Sequence, residues 1–187
     1  AKRNPNYFRD TWFDNVELLS IIDPTARTNA LLSNRLDVMD RFDLKTVKFM
    51  EATPGIQVNK VTGYEHNTFA MIVTQPPFDN ADVRNALKYA IDREAIIKQV
   101  FGGIGTPGND NVVAPAVKFA INPEPIHKYD PDMARSLLKK AGLSDLKVSL
   151  SAADVAFTGA VDAATIYRES AAKAGIDLTV VREPNDG

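Results

Sequence analysis

The chain has 187 residues, 22 Lys+Arg against 24 Asp+Glu, a formal net charge of −2 and 44% apolar content. With no cysteine, a disulfide scaffold is excluded. A near-neutral, slightly acidic chain has no broad attraction for a nucleic-acid backbone, and no apolar run approaches the roughly 18 residues of a membrane-spanning helix. What remains is a globular chain, long enough for a sizeable core.

The opening Ala1-Lys2-Arg3-Asn4-Pro5-Asn6-Tyr7-Phe8 is basic but lacks a following apolar stretch, so it does not read as a secretory signal. Tyr7, Phe8, Trp12 and Phe13 cluster, and aromatics usually bury large areas, which predicts a small local core over a sticky patch. Residues 15–22 are apolar up to Asp23-Pro24 and predict a buried strand. Asp23 then caps a helix with Pro24 at its first position, where a missing N–H costs nothing. Residues 36–39 read as a short strand, 44–51 as a helix stopped by Pro54-Gly55, and 56–62 and 68–74 as strands, the last closed by Pro76-Pro77.

Asp79 or Asn80 opens the longest helical stretch, with Val83, Leu87, Ala90, Ile91, Ile97 and Phe101 near a 3.6-residue period and Asp92 placed to cap a second helix within it. Residues 102–128 are rich in glycine and proline and lack periodicity, which predicts a long loop, ordered or flexible. Asp130-Pro131 reopens regular structure; Ala134, Leu137, Leu138 and Ala141 make one helical face, and Gly142 is placed to end it. A strand over 146–151, a helix over 159–174 ended by Gly175 and a strand over 176–181 follow. The fold class is α/β, with a mixed sheet expected to be covered on both faces. The closing Glu183-Pro184-Asn185-Asp186-Gly187 is a turn that normally leads onward, so both ends read as cut from something longer.

Catalytic signals are thin. Gly103-Ile104-Gly105-Thr106-Pro107-Gly108 matches G-x-G-x-x-G, but a dinucleotide loop follows a strand and opens a helix, whereas this one follows a helix and contains Pro107. His66 and His127 lie far apart, and no cysteine could join them at a metal. No nucleophile elbow and no P-loop occurs. Acidic pairs such as Asp37/Asp40 or Asp40/Asp43 are more readily explained as exposed carboxylates than as a general acid and base.

Several segments together resemble one family. Asn4-Pro5-Asn6-Tyr7-Phe8, Asp23-Pro24-Thr25-Ala26-Arg27 and Leu31-Leu32-Ser33-Asn34-Arg35-Leu36-Asp37-Val38 are similar to stretches of the family 5 extracellular solute-binding proteins, the oligopeptide, dipeptide and nickel receptors of bacterial ABC importers. The most specific segment runs from Gln75-Pro76-Pro77-Phe78-Asp79-Asn80 through Val83-Arg84-Asn85-Ala86-Leu87 to Ala90-Ile91-Asp92-Arg93. Tyr129-Asp130-Pro131 to Ala141-Gly142 and Gly175-Ile176-Asp177-Leu178 continue the resemblance in the family's order, while Met71-Ile72-Val73 departs from the aromatic-Asn-Thr run common there.

The resemblance implies an incomplete type II periplasmic-binding-protein lobe, a mixed sheet flanked by helices. Residues 1–14 would lead into it from between the lobes, and 15–187 would form part of the second lobe, with the first lobe absent. It implies a non-enzymatic receptor, periplasmic or at the cell surface, that traps a peptide or other small solute by hinge closure and delivers it to ABC permease subunits. No cofactor, metal or nucleic acid is expected, and self-association of this piece is left open. Binding residues in such a scaffold sit on strand ends and loops. The candidates are Arg41, Phe42 and Asp43; Tyr64, Glu65, His66 and Asn67; and Asn109, Asp110 and Asn111, which offer charge, amide and ring contacts to a zwitterionic peptide. The alternatives are a small α/β enzyme using a carboxylate pair, or an adaptor docking through its aromatic N-terminal patch.

Overall fold

The structure is a computed structural model and describes residues 1–40, 42–61, 63–115 and 117–184. Its contacts cluster into two units, Ala1–Asp43 and Leu44–Gly187. No helix among the described residues is long and apolar enough to cross a membrane.

In the first unit, Lys2 and Asn15 form an isolated antiparallel bridge, flanked by Arg3 N–H donating to Asp14 O at 2.7 Å and Val16 N–H to Ala1 O at 2.8 Å. Helix α1, Pro24–Leu32, begins as its sequence predicts, with the Asp23 carboxylate accepting from Ala26 N–H at 2.7 Å. The Arg27 guanidinium reaches back from the helix to the carbonyls of Ile21 and Ile22, at 2.6 and 2.8 Å.

Two expectations fail in this unit. Beyond the bridge at Asn15, residues 16–22 form no strand and are not buried, with Leu18 88% and Ile22 77% exposed. The aromatic cluster is not a core, since Phe8, Trp12 and Phe13 are largely open to solvent. The reason is common to both: a single bridge and one short helix give these side chains no second layer to pack against.

The second unit carries the core. A 3-10 turn, Leu44–Thr46, leads into α2, Val47–Ala52, which bury Val47 and Met50. Then come α3, Ala81–Ala90, α4, Arg93–Gln99, and α5, Pro131–Lys140, each opened by a side chain accepting from a first-turn N–H: Asn80 from Asp82, Asp92 from Ala95 and Asp130 from Met133. Strand β1, Leu146–Ala152, helix α6, Ala160–Ala172, and strand β2, Ile176–Arg182, close the order, and β1 pairs with β2 in parallel from Leu146 opposite Ile176 to Ala152 opposite Arg182.

Helices α3 and α5 meet through Val83, Ala86, Leu87 and Ala90 on one side and Ala134 and Leu138 on the other, where the small alanines allow close approach. Leu146, Ile176 and Leu178 of the strands, with Tyr167 and Ala171 of α6, complete the same cluster. The other strand face, with Lys147, Ser149, Ser151, Asp177 and Thr179, is exposed. The sheet is therefore covered on one face rather than two, as its polar alternation dictates.

The segments read as strands at 36–39, 56–62 and 68–74 have no ladder partner among the described residues. Thr62 lies outside the described residues. Strand phase survives without the ladder: Phe69 and Met71 lie against the core while Thr68, Ala70 and Ile72 face out. Pairing needs a neighbour to take the backbone donors and acceptors, and apolar alternation alone does not supply one.

Between α3 and α4 the backbone leaves the helix at Ile91, so the Leu87 carbonyl loses its helical donor. The buried Tyr167 hydroxyl replaces it, donating to Leu87 O at 2.9 Å, and burial pushes its pKa well up, keeping it protonated. Ser170 of the same helix accepts from Asp92 N–H at 3.4 Å, and Tyr129 donates to the Ser170 carbonyl at 3.1 Å. Removing only the hydroxyl, in Tyr167→Phe, is expected to cost about 1–3 kcal/mol by stranding a buried carbonyl. Urea unfolding followed by circular dichroism would measure it, and an unchanged midpoint would contradict this role.

Candidate functional site

The candidate residues fall in three places. Phe42 and Asp43 are half-buried at the end of the first unit, and Arg41 lies outside the described residues. Tyr64, Glu65, His66 and Asn67 form a contiguous exposed run ahead of the Phe69/Met71 segment, with Tyr64 68% exposed. Asn109, Asp110 and Asn111 lie in the glycine loop of the second unit. Among the described residues, no hydrogen bond or ion pair joins the 64–67 run to 109–111.

The glycine loop is built on local physics. Gly102 and Gly103 turn the chain out of α4 with φ of 59° and 82°, and Gly103 N–H donates to Ile97 O at 2.9 Å, a helix-ending geometry. This is the opposite of a phosphate cradle, so the G-x-G-x-x-G match does not mark a dinucleotide site.

Beyond the glycines the loop is braced by its own side chains. Asn109 Nδ2 donates to Asn122 Oδ1 at 3.0 Å and to Pro123 O at 2.6 Å, while its Oδ1 accepts from His127 N–H at 3.3 Å. Asn111 Nδ2 donates to Ile121 O at 2.8 Å, and its Oδ1 accepts from Val113 N–H. The two asparagines thus tie the outgoing and returning halves of the loop together.

Asp110 fastens the loop to the helices. Its carboxylate takes Arg93 Nη2 at 2.9 Å and stands 3.8 Å from Lys88 Nζ and 2.9 Å from His127 Nδ1. The second Arg93 nitrogen, Nη1, donates to the carbonyls of Lys88 and His127, both at 3.0 Å. His127 packs edge-on against Tyr89 with ring centroids 4.8 Å apart. The imidazole pKa is held below its ordinary 6.5, first by burial; Asp110 opposes the shift, and Lys88 and Arg93 add to it. Asp110 adopts a left-handed φ of 55°, a conformation Asp tolerates better than most residues.

Sequence reasoning singled out Asp110 but missed Lys88, Arg93 and His127 as its partners. One signal was available. Arg93 is the first residue of α4, where the helix dipole disfavours a cation, so it calls for a carboxylate from elsewhere in the chain.

A shallow concavity of about 290 Å³ lies in the first unit, lined by residues 1–4, 11–13 and 16, and none of the candidates lines it. Among the described residues, no group of three or more His, Asp or Glu is placed to hold a metal ion.

Comparison with known proteins completes the picture. The glutathione-binding protein GsiB of Escherichia coli O6:K15:H31 (strain 536 / UPEC) is 34% identical over 129 residues, 69% of this chain and 25% of that protein. GsiB of Salmonella typhi is 50% identical over 76 residues, 41% of this chain and 14% of that protein. Among solved structures, the ABC transporter-associated periplasmic binding protein DppA from Helicobacter pylori, in complex with the peptide STSA, superposes with a TM-score of 0.81 at 24% identity, covering 97% of this chain and 35% of that one. The α/β architecture is thus that of a type II periplasmic-binding-protein lobe in part, and the chain's matches span only 14% to 25% of the length of these curated relatives. The model of the bacterial extracellular solute-binding proteins, family 5 Middle, matches residues 1–186, and the chain belongs to that family.

Proposed function

We propose that this chain forms one wall of the ligand cleft of a solute receptor serving a bacterial ABC importer, outside the cytoplasmic membrane. Residues 1–14 lead in from between the lobes and 15–187 form part of the second lobe. The solute is a peptide or peptide-like molecule; the GsiB relatives are named for glutathione. The observation that carries this reading is the family match along residues 1–186.

The receptor binds by hinge closure against the first lobe and makes or breaks no bond. Closure couples occupancy to the permease because only the closed pair of lobes presents both docking surfaces together. Solute contact falls to Phe42, Asp43 and the exposed Tyr64, Glu65, His66 and Asn67. Asn109, Asp110 and Asn111 are already engaged within their own loop and with Arg93.

One wall buries little of a ligand, so the chain alone is expected to bind glutathione or a dipeptide no more tightly than roughly millimolar. Amide shifts in a two-dimensional NMR titration should concentrate at 42–43 and 64–67. Submicromolar affinity in calorimetry, or shifts confined to other residues, would defeat the proposal.

A further inference from the structure

The loop over 102–128 is fastened at one point whose charges do not balance. Among the described residues, Asp110 is the one carboxylate paired in a cluster that also holds Lys88 from α3, Arg93 from the start of α4 and His127 from the returning half of the loop. Tyr89 of α3 walls the imidazole on one side, Asn109 receives its backbone N–H, and the field of Arg93 and Asp110 extends to Tyr167 of α6. With His127 neutral, one anion faces two cations. Protonating His127 adds a third cation to a nearly enclosed place, its side chain being 10% exposed.

The geometry is also poor for holding that proton. Nδ1 stands 2.9 Å from Asp110 Oδ2 without completing a well-formed ring N–H bond, and the pull of that carboxylate on the proton is outweighed by burial with Lys88 and Arg93 alongside. Arg93 already occupies the other carboxylate oxygen, at 2.9 Å, and its bonds to the Lys88 and His127 carbonyls fix it there.

We propose that His127 and Asp110 form an acid-sensitive clasp, in which protonation of His127 releases the 102–128 loop from helices α3 and α4. The direction follows from linkage. The imidazole binds a proton less readily in the clasped loop than in the released one, so the clasp is at full strength above about pH 6.5 and weakens as the pH falls below it. Nothing in this inference requires the solute-receptor reading.

Hydrogen exchange of the 187-residue chain, corrected for intrinsic rates, tests it between about pH 7.5 and about pH 5.5. Amides of 103–128 should lose protection several-fold on acidification while those of β2 do not. His127→Gln should abolish that response, and His66→Gln should leave it intact. A response shared equally by the whole chain, one that persists in His127→Gln, or none at all would overturn the clasp. If His127→Gln does not fold, the His127 ring resonance of the unaltered chain decides. A midpoint below 6.5 that coincides with shifts in the loop amides supports the clasp, and separate midpoints refute it.

Discussion

Leu138→Ala is expected to lower the unfolding free energy by about 2–5 kcal/mol, the range for deleting a fully buried leucine whose surroundings collapse only in part. Leu138 is 1% exposed and stands where α5 meets α3 and the strands, among Val83, Leu87, Leu146 and Ile176. Its neighbours on the contact, Ala86, Ala90 and Ala134, are too short to swing into the space it would leave. Chemical denaturation gives the value directly. A loss below about 1 kcal/mol would mean that the two helices slide together to fill the void, contrary to the close packing seen here.

The second large effect belongs to Gly159, the residue before α6. Its φ is 86°, and a Cβ built on it would stand 2.5 Å from Val100 Cγ1. Gly159→Ala therefore combines a left-handed backbone penalty of about 1–2 kcal/mol with an overpacking penalty of about 1–3 kcal/mol. Val100 is 4% exposed and β-branched, so it has no free rotamer to retreat into. The double variant Gly159→Ala, Val100→Ala should recover the overpacking share relative to Val100→Ala alone, leaving the backbone share. Strict additivity of the two changes would show that the side chains do not meet.

These two positions also show what the sequence discloses. Among the described residues, every α-helix but α2 and α6 is announced by an aspartate or asparagine that accepts from a first-turn N–H, and such signals are local, so Asp23, Asn80, Asp92 and Asp130 could be read directly. The β1 and β2 alternation is equally plain. The strands expected at 15–22, 36–39, 56–62 and 68–74 depend instead on a partner elsewhere in the chain, and burial phase at Phe69 and Met71 does not reveal whether one exists. The clasp was hidden for the same reason. Asp110 lies 17 positions from Arg93, and no periodic pattern connects them. Clash at Gly159 is likewise invisible in sequence, because Val100 reaches it only through the packing of α4 on α6.

The parallel arrangement of β1 and β2 governs the order in which the second unit assembles. Antiparallel neighbours can zip from a tight turn, whereas this ladder must wait for residues 153–175 to cross over. Helix α6, within that crossover, brings Tyr167 and Ala171 into the same core cluster as Leu146 and Ile176. Acquisition of the native state is thereby tied to a non-local pairing, which slows folding relative to a chain closed by local contacts alone.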